Sequence, residues 1–514
     1  MPSARDGAVR NCLIVASAKG LAASLDRSGI DSVVALLREL AACRRRDGVE
    51  TLLYFPDSKD LSGDLPQLES PLAGPALLAA VGSIERRLFS GAPFDYVFIV
   101  GDSRAIPFWK IENPAGDSDG PFSSDAPYGA VEEPSDTEAY MVPDRGVGRL
   151  PLNFVSYLER LVSPPAVSEG QPYGVCAAVW KDQAGKVFDL LGGGQLDASP
   201  PLTLDAFKSE RLAGDTILYF NVHGSKDERY WYGQEGLSYP RVMSPESVAR
   251  GGPESSLVFS EACYGGLVEG KRPENSIALQ FVAKGAGAFI GSTATAYGSP
   301  DERLTEADLL AHVFLKRVLA GEAYGDAFRE AKTDFAAEML RRQGYLDGDD
   351  KKTLVEFNLY GDPTLSLARG ARGRGRGEMV SDDIIDSVKR LVATRFPEMM
   401  GVEPDLAEEK SVLDGVLARK VMRKRPESAA GGEGKAAGAE PKVEGKPGGK
   451  AEGKAEQKSK VPGADAGGET CRIERRVFVA SFKRVVAVGD RNVERIVRIT
   501  FDSCGEILKI VTSK

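Results

Sequence analysis

The chain has two histidines, His223 and His312, and six cysteines among 514 residues. His223 closes the apolar run Thr216–Val222 and is followed by Gly224 and Ser225. Cys263 lies 40 residues further on, in Ser260-Glu261-Ala262-Cys263-Tyr264-Gly265-Gly266, just past the run Leu257–Phe259. A thiol is only a few per cent thiolate at neutral pH. An imidazole beside it raises that fraction and later protonates a leaving amine. Glycine after the histidine lets a carbonyl approach the backbone, and the N–H groups of Gly224 and Cys263 then form an oxyanion hole, worth about 3–4 kcal/mol per donor. By itself, a cysteine near a buried strand is more often a small core residue than a nucleophile. Cys12 and Cys176 fit that description. The Tyr-Gly-Gly after Cys263, the acid before it and the upstream His-Gly favour chemistry there. His312 sits inside the helix-period segment Glu306–Leu319 and reads as structural.

Such residues need strands to carry them. Short apolar runs at Cys12–Ala16, Thr51–Phe55, Tyr96–Val100, Val175–Val179, Thr216–Val222, Leu257–Phe259 and Ala286–Ile290 alternate with helical stretches such as Ser32–Cys43, Ala76–Leu88, Asn275–Lys284 and Glu306–Leu319. That alternation predicts an α/β protein with two mainly parallel sheets flanked by helices. Functional groups then collect at the carboxyl ends of strands, where His223 and Cys263 stand. Successive strands tend to be neighbours, so the two side chains converge.

The boundaries expected are an N-terminal α/β subdomain over 1–165, breaking at Pro164-Pro165, and a catalytic subdomain over 166–369. A hinge and helical segment follow over 370–425, beginning with GARGRGRG and including Asp382–Arg395 and Glu408–Arg423. Residues 426–470 are almost all Gly, Ala, Lys, Glu and Pro, and cannot bury enough surface to fold. Residues 471–514 alternate as a β meander with a turn at Gly489-Asp490, expected to pack on 380–425 as a small α+β unit.

A net charge of −9 argues against nucleic acid as the main partner. The longest apolar runs fall far short of the ~20 residues of a membrane helix. The N-terminus lacks a sustained apolar signal core, and the scattered cysteines form no CxxC pair, so a reducing cytoplasm is expected. No cofactor and no metal site are expected: two histidines without paired cysteines make no zinc site. Asp117-Ser118-Asp119-Gly120 begins like a calcium loop, but Tyr128 stands where that loop needs glutamate.

His223-Gly224 with Glu261-Ala262-Cys263 resembles the paired signature of the caspase-like clan, which includes caspases, legumains, clostripain, metacaspases and gingipains. Within it the chain is most similar to the gingipain-type family, in YVFIVGDSRAIP (96–107), VPDRGVGRLP (142–151), GAFIGSTATAYG (287–298) and NLYGDPTL (358–365). The resemblance spans roughly residues 10–368. It implies a caspase-like fold of two α/β subdomains, the second carrying the Cys–His dyad, and cysteine endopeptidase activity on a protein or peptide substrate. The C-terminal unit is not part of it.

Glu261 and Cys263 are two apart, which on a strand puts both on one face. A carboxylate there favours a positively charged P1 side chain, as in clostripain- and metacaspase-like relatives, although legumain-like enzymes carry Glu here and cut after Asn. Ser292 and Thr293 follow the next strand and line the same S1 pocket. Asp182 matches an acidic stretch of arginine-specific gingipains, as an orienter of His223, an S1 acid or a solvated loop residue. Competing with the peptidase are a catalytically silent scaffold on the same fold and an acyl- or peptide-transferring enzyme using the same dyad. The lysine-studded linker and Arg372, Arg374 and Arg376 are sites for self-cleavage. The C-terminal unit is then a restraint on activity or a dock for a regulatory partner.

Overall fold

The computed structural model describes residues 10–69, 72–89, 91–131, 140–152, 154–164, 170–214, 216–299, 303–367, 405–411, 475–488, 491–502 and 507–513. The first half supplies β1 (Arg10–Ala16), β2 (Val49–Tyr54), β3 (Tyr96–Val100), β4 (Trp109–Ile111), β5 (Phe122–Ser124) and β6 (Gly146–Leu150). The second half begins with β7 (Tyr173–Ala177), β8 (Gln195–Ser199), β9 (Ile217–Asn221), β10 (Trp231–Tyr232) and β11 (Arg241–Met243). It continues with β12 (Leu257–Ser260), β13 (Ala288–Ser292), β14 (Tyr297–Gly298) and β15 (Phe357–Gly361). Last come β16 (Asp405–Ser411), β17 (Arg475–Val488), β18 (Arg491–Asp502) and β19 (Ile507–Ser513).

Ten strands form one sheet in the order β2-β1-β3-β6-β15-β13-β12-β9-β7-β8. The blocks β2-β1-β3-β6 and β13-β12-β9-β7-β8 are the two parallel sheets expected from the sequence. They are joined by β15, parallel to β6 and antiparallel to β13. Helices on both faces explain the unbroken apolar strands. Ile217 and Tyr219 of β9 enter one core and Leu218 and Phe220 another. The second of these cores runs under both blocks, since it also takes Cys12 and Ile14 of β1.

Local signals set the helices. Arg27–Arg46 starts on Asp26, which accepts from the Gly29 N–H, and ends on three arginines that suit the helix dipole. Its buried stripe is Val33, Val34, Leu37, Leu40 and Ala41. Two arginines of VPDRGVGRLP are fully buried and brace the first half. Arg145 pairs with both oxygens of Glu85 at 2.7 and 2.6 Å, and Arg149 does the same with Asp125.

The C-terminal meander departs from expectation. Its sheet runs β14-β19-β18-β17-β16. One edge is β16, where Asp405–Ser411 forms a strand although helix was expected from Glu408 onward. The long β17 offers seven paired positions there, and such pairing overrides local propensity. The other edge, β19, pairs with β14 of the second half. The unit therefore packs on the catalytic half as well as on 405–411. The expected helix Asp382–Arg395, the GARGRGRG hinge, the 426–470 linker, the Gly489-Asp490 turn, Cys471 and Cys504 lie outside the described residues.

Candidate active site

Strands β9 and β12 are parallel neighbours with Phe220 opposite Ser260, so their carboxyl ends emerge side by side. His223 follows β9 and Cys263 follows β12. The contact between them is tight. A Cβ at Gly224 would overlap the carbonyl oxygen of Cys263 and crowd Ala262, so only glycine fits after the histidine. His223 exchanges both backbone hydrogen bonds with Tyr232 of β10, at 2.9 and 3.0 Å. Its ring lies 4.3 Å from that of Trp180 and 5.3 Å from that of Tyr239, centroid to centroid. The Nε2–H donates to Gln234 Oε1 at 2.8 Å. That bond assigns the tautomer, leaving Nδ1 as the nitrogen able to accept a proton. Arg495 of β18 reaches Nδ1 at 3.4 Å.

Beyond Ser260 the chain leaves the strand and turns at Tyr264, which has φ +55°, a left-handed conformation that costs a β-carbon residue roughly 1–3 kcal/mol. Three backbone bonds hold the turn. Tyr264 N–H donates to Ala294 O at 2.8 Å, Gly265 N–H to Ala262 O at 2.9 Å and Gly266 N–H to Ser292 O at 2.7 Å. The Tyr264 hydroxyl donates to Asp119, which also accepts from the Thr295 N–H. Asp117 and Asp119 each take the Lys352 ammonium at 2.6 Å. The acids of the loop that begins like a calcium site thus brace the nucleophile turn.

Cys263 is 4% exposed, and its Sγ donates to Ala296 O at 3.5 Å. Burial pushes its thiol up to about 12, Asp119 and Glu356 add to the rise, and Arg495 opposes them. A cleft bordered by Ser225, Tyr230, Cys263, Tyr264 and Lys271 opens beside it.

The residues expected to line S1 are placed otherwise. Glu261 is fully buried and accepts from the Tyr219 hydroxyl at 2.5 Å. Alternation of faces holds only in extended chain, and β12 ends at Ser260, so two-residue spacing does not carry Glu261 to the face of Cys263. Ser292 Oγ donates to Ala294 O at 3.0 Å, and Thr293 Oγ1 to Ser123 O at 2.6 Å; both tie loops together in the interior. Asp182 is exposed in the first turn of helix Lys181–Phe188, while Gln234 holds the imidazole. His312 is on helix Glu306–Leu319, away from the strand ends. Gln234, Trp180 and Arg495 were missed. Their proximity to His223 is set by tertiary packing, and no spacing in the sequence signals it.

Residues 198–368 match the model of peptidase family C25. This segment is a family C25 cysteine-peptidase unit. It contains His223, Gln234 and Cys263, together with β9, β12, β13 and β15. A search of curated proteins finds no match. Among solved structures, the crystal structure of the Arg-specific cysteine proteinase gingipain R (RGPB) is similar at 16% identity and a TM-score of 0.47, over 70% of this chain and 78% of that one. A structure described as a protease is similar at 13% identity and a TM-score of 0.47, over 71% and 79%. Dimeric latent PorU from Porphyromonas gingivalis follows at 11% identity and a TM-score of 0.30, over 70% and 30%.

Proposed function

We propose that the C25 unit is an endopeptidase that cuts proteins after Arg or Lys, with Cys263 as nucleophile and His223 as acid and base. The observation that carries this reading is the packing of Gly224 on the Cys263 carbonyl, which brings the His-Gly and Cys-Tyr-Gly turns into contact. His223 Nδ1 takes the Cys263 proton, and the sulfur attacks the scissile carbonyl. The oxyanion is met by the Gly224 and Cys263 N–H groups. Collapse breaks the C–N bond as the imidazolium returns its proton to the amine, leaving a thioester and the first product. Water, deprotonated by His223, then hydrolyses the thioester and restores the thiol.

Basic specificity draws its support from Arg495, a cationic side chain lying against the His223 ring and Gln234. Four described cysteines are all free thiols, in keeping with a reducing compartment. Self-cleavage at Arg372, Arg374, Arg376 or the linker lysines follows from the same specificity, and mass spectrometry of new termini in incubated wild type and Cys263→Ala tests it.

The direct test of the dyad is hydrolysis of peptide amides differing only at P1. Cys263→Ala and His223→Ala each lose at least about 100-fold in rate while melting like wild type. P1 Arg and Lys exceed P1 Asp by about 10-fold or more. Wild-type rates in Cys263→Ala, or equal rates on Arg and Asp, would sink the corresponding half of the proposal.

A further inference from the structure

The C-terminal meander does not stand apart from the C25 unit. It pairs with the strand beside the thiol and places a cation on the histidine. We infer that β17–β19 form a tethered cap that occupies the position of an incoming peptide and keeps the dyad closed until it lifts. The inference rests on the peptidase reading above and adds its control.

Three features carry it. The first is the strand. Cys263 Sγ bonds the carbonyl of Ala296, and the next two residues, Tyr297 and Gly298, are β14. An edge this close to a nucleophile is where an extended peptide adds by backbone pairing. Here the edge is filled: Tyr297 pairs with Ser513 and Gly298 with Thr512 of β19. The second is Arg495. Its guanidinium lies 3.4 Å from His223 Nδ1, 3.3 Å from Gln234 Oε1 and 5.7 Å from the Trp180 ring centroid. It also donates to the Ser513 carbonyl, so β18 and β19 are fixed together over the site. The base nitrogen assigned to take the Cys263 proton therefore faces a permanent cation.

The third is charge. Lys509 enters a group of carboxylates and pairs with Glu306 at 2.6 Å, Asp347 at 2.7 Å and Asp350 at 3.2 Å. Arg498 pairs with Asp349. These groups are buried, where an unmatched charge is far costlier than a matched one. Tyr297, Ile496 and Val511 add an apolar contact. With the cap in place His223 is 6% exposed and Cys263 4%. When it lifts, β14 regains a free edge and the acids regain a need for cations. An extended basic peptide meets both needs.

The test uses the full chain with Arg498→Glu and Lys509→Glu combined, set against wild type. Two readouts are taken: alkylation of Cys263 by iodoacetamide, followed by mass spectrometry, and hydrolysis of a P1-Arg peptide amide. Releasing the cap raises both at least about 10-fold, because the competent fraction sets the apparent rate. The charge swap Asp349→Arg with Arg498→Asp keeps the slow rates of wild type. Faster alkylation without hydrolysis means that the cap stands and the peptidase reading fails. Unchanged alkylation in a variant whose 507–513 amides exchange freely overturns the cap. Should these variants unfold, amide exchange of 507–513 in full-length Cys263→Ala is measured with a millimolar P1-Arg peptide. The cap predicts faster exchange, and no change contradicts it.

Discussion

The imidazole of His223 is held by a neutral amide, and that choice has measurable consequences. Gln234 Oε1 accepts from Nε2–H and so orients the ring and selects its tautomer without adding charge. Gln234→Ala frees the ring, and kcat on a P1-Arg peptide falls at least about 10-fold with little change in KM, since orientation and tautomer act on the chemical step. Gln234→Glu restores the contact and adds a carboxylate, which favours the imidazolium and moves the activity profile to higher pH. A residue that only supported the fold would shift no pH profile. At this scale the sequence was legible where chemistry and chain position coincide, as at His223, Gly224 and Cys263. It was illegible where the partner arrives from elsewhere. Glu261 misled because alternation was extended past the end of a strand.

Among the elements, the strand ends depend on how helix Glu306–Leu319 meets β9. Asn221 Nδ2 donates to Asp308 Oδ1 at 2.8 Å, and the Ser299 N–H donates to Oδ2 at 3.1 Å. Burial, joined by the charge of Glu306, nonetheless pushes Asp308 up to about 8 from an ordinary 3.8. Between those values the folded state keeps a proton that the unfolded state gives up, so this group's contribution to stability falls as pH rises. Asp308→Asn removes that dependence. The variant loses ground to wild type at pH 5, and the gap narrows toward pH 8 in urea unfolding curves; parallel pH profiles would contradict the assignment. The apolar strands were readable because they are buried on both faces: Tyr96–Val100 is a strand over those residues and Leu257–Phe259 extends by one. β6 and β15 were not, because GVGRL hides a buried Arg149 and FNLYG carries Asn358, both satisfied only by distant partners.

For the whole molecule, the sequence pointed to two α/β halves and a small C-terminal unit, but not to one continuous sheet or to where that unit docks. Strand order and docking come from contacts between residues hundreds of positions apart, such as Lys509 with Asp347, which no local pattern encodes. The resulting arrangement joins catalysis and restraint in one body: the C25 unit supplies the dyad, and β18 and β19 cover it. Its central claim is that Cys263 is a nucleophile activated by His223 and addressed by a basic side chain. The most direct measurement is covalent labelling of the Arg498→Glu/Lys509→Glu chain by thiol-directed peptide probes carrying P1 Arg or P1 Asp, mapped by mass spectrometry. The account predicts one label per chain, on Cys263, with the Arg probe reacting at least about 10-fold faster, and loss of that label in added Cys263→Ala or His223→Ala. Labelling spread over Cys12, Cys43 and Cys176, or labelling of Cys263 that ignores both P1 and His223, would contradict it.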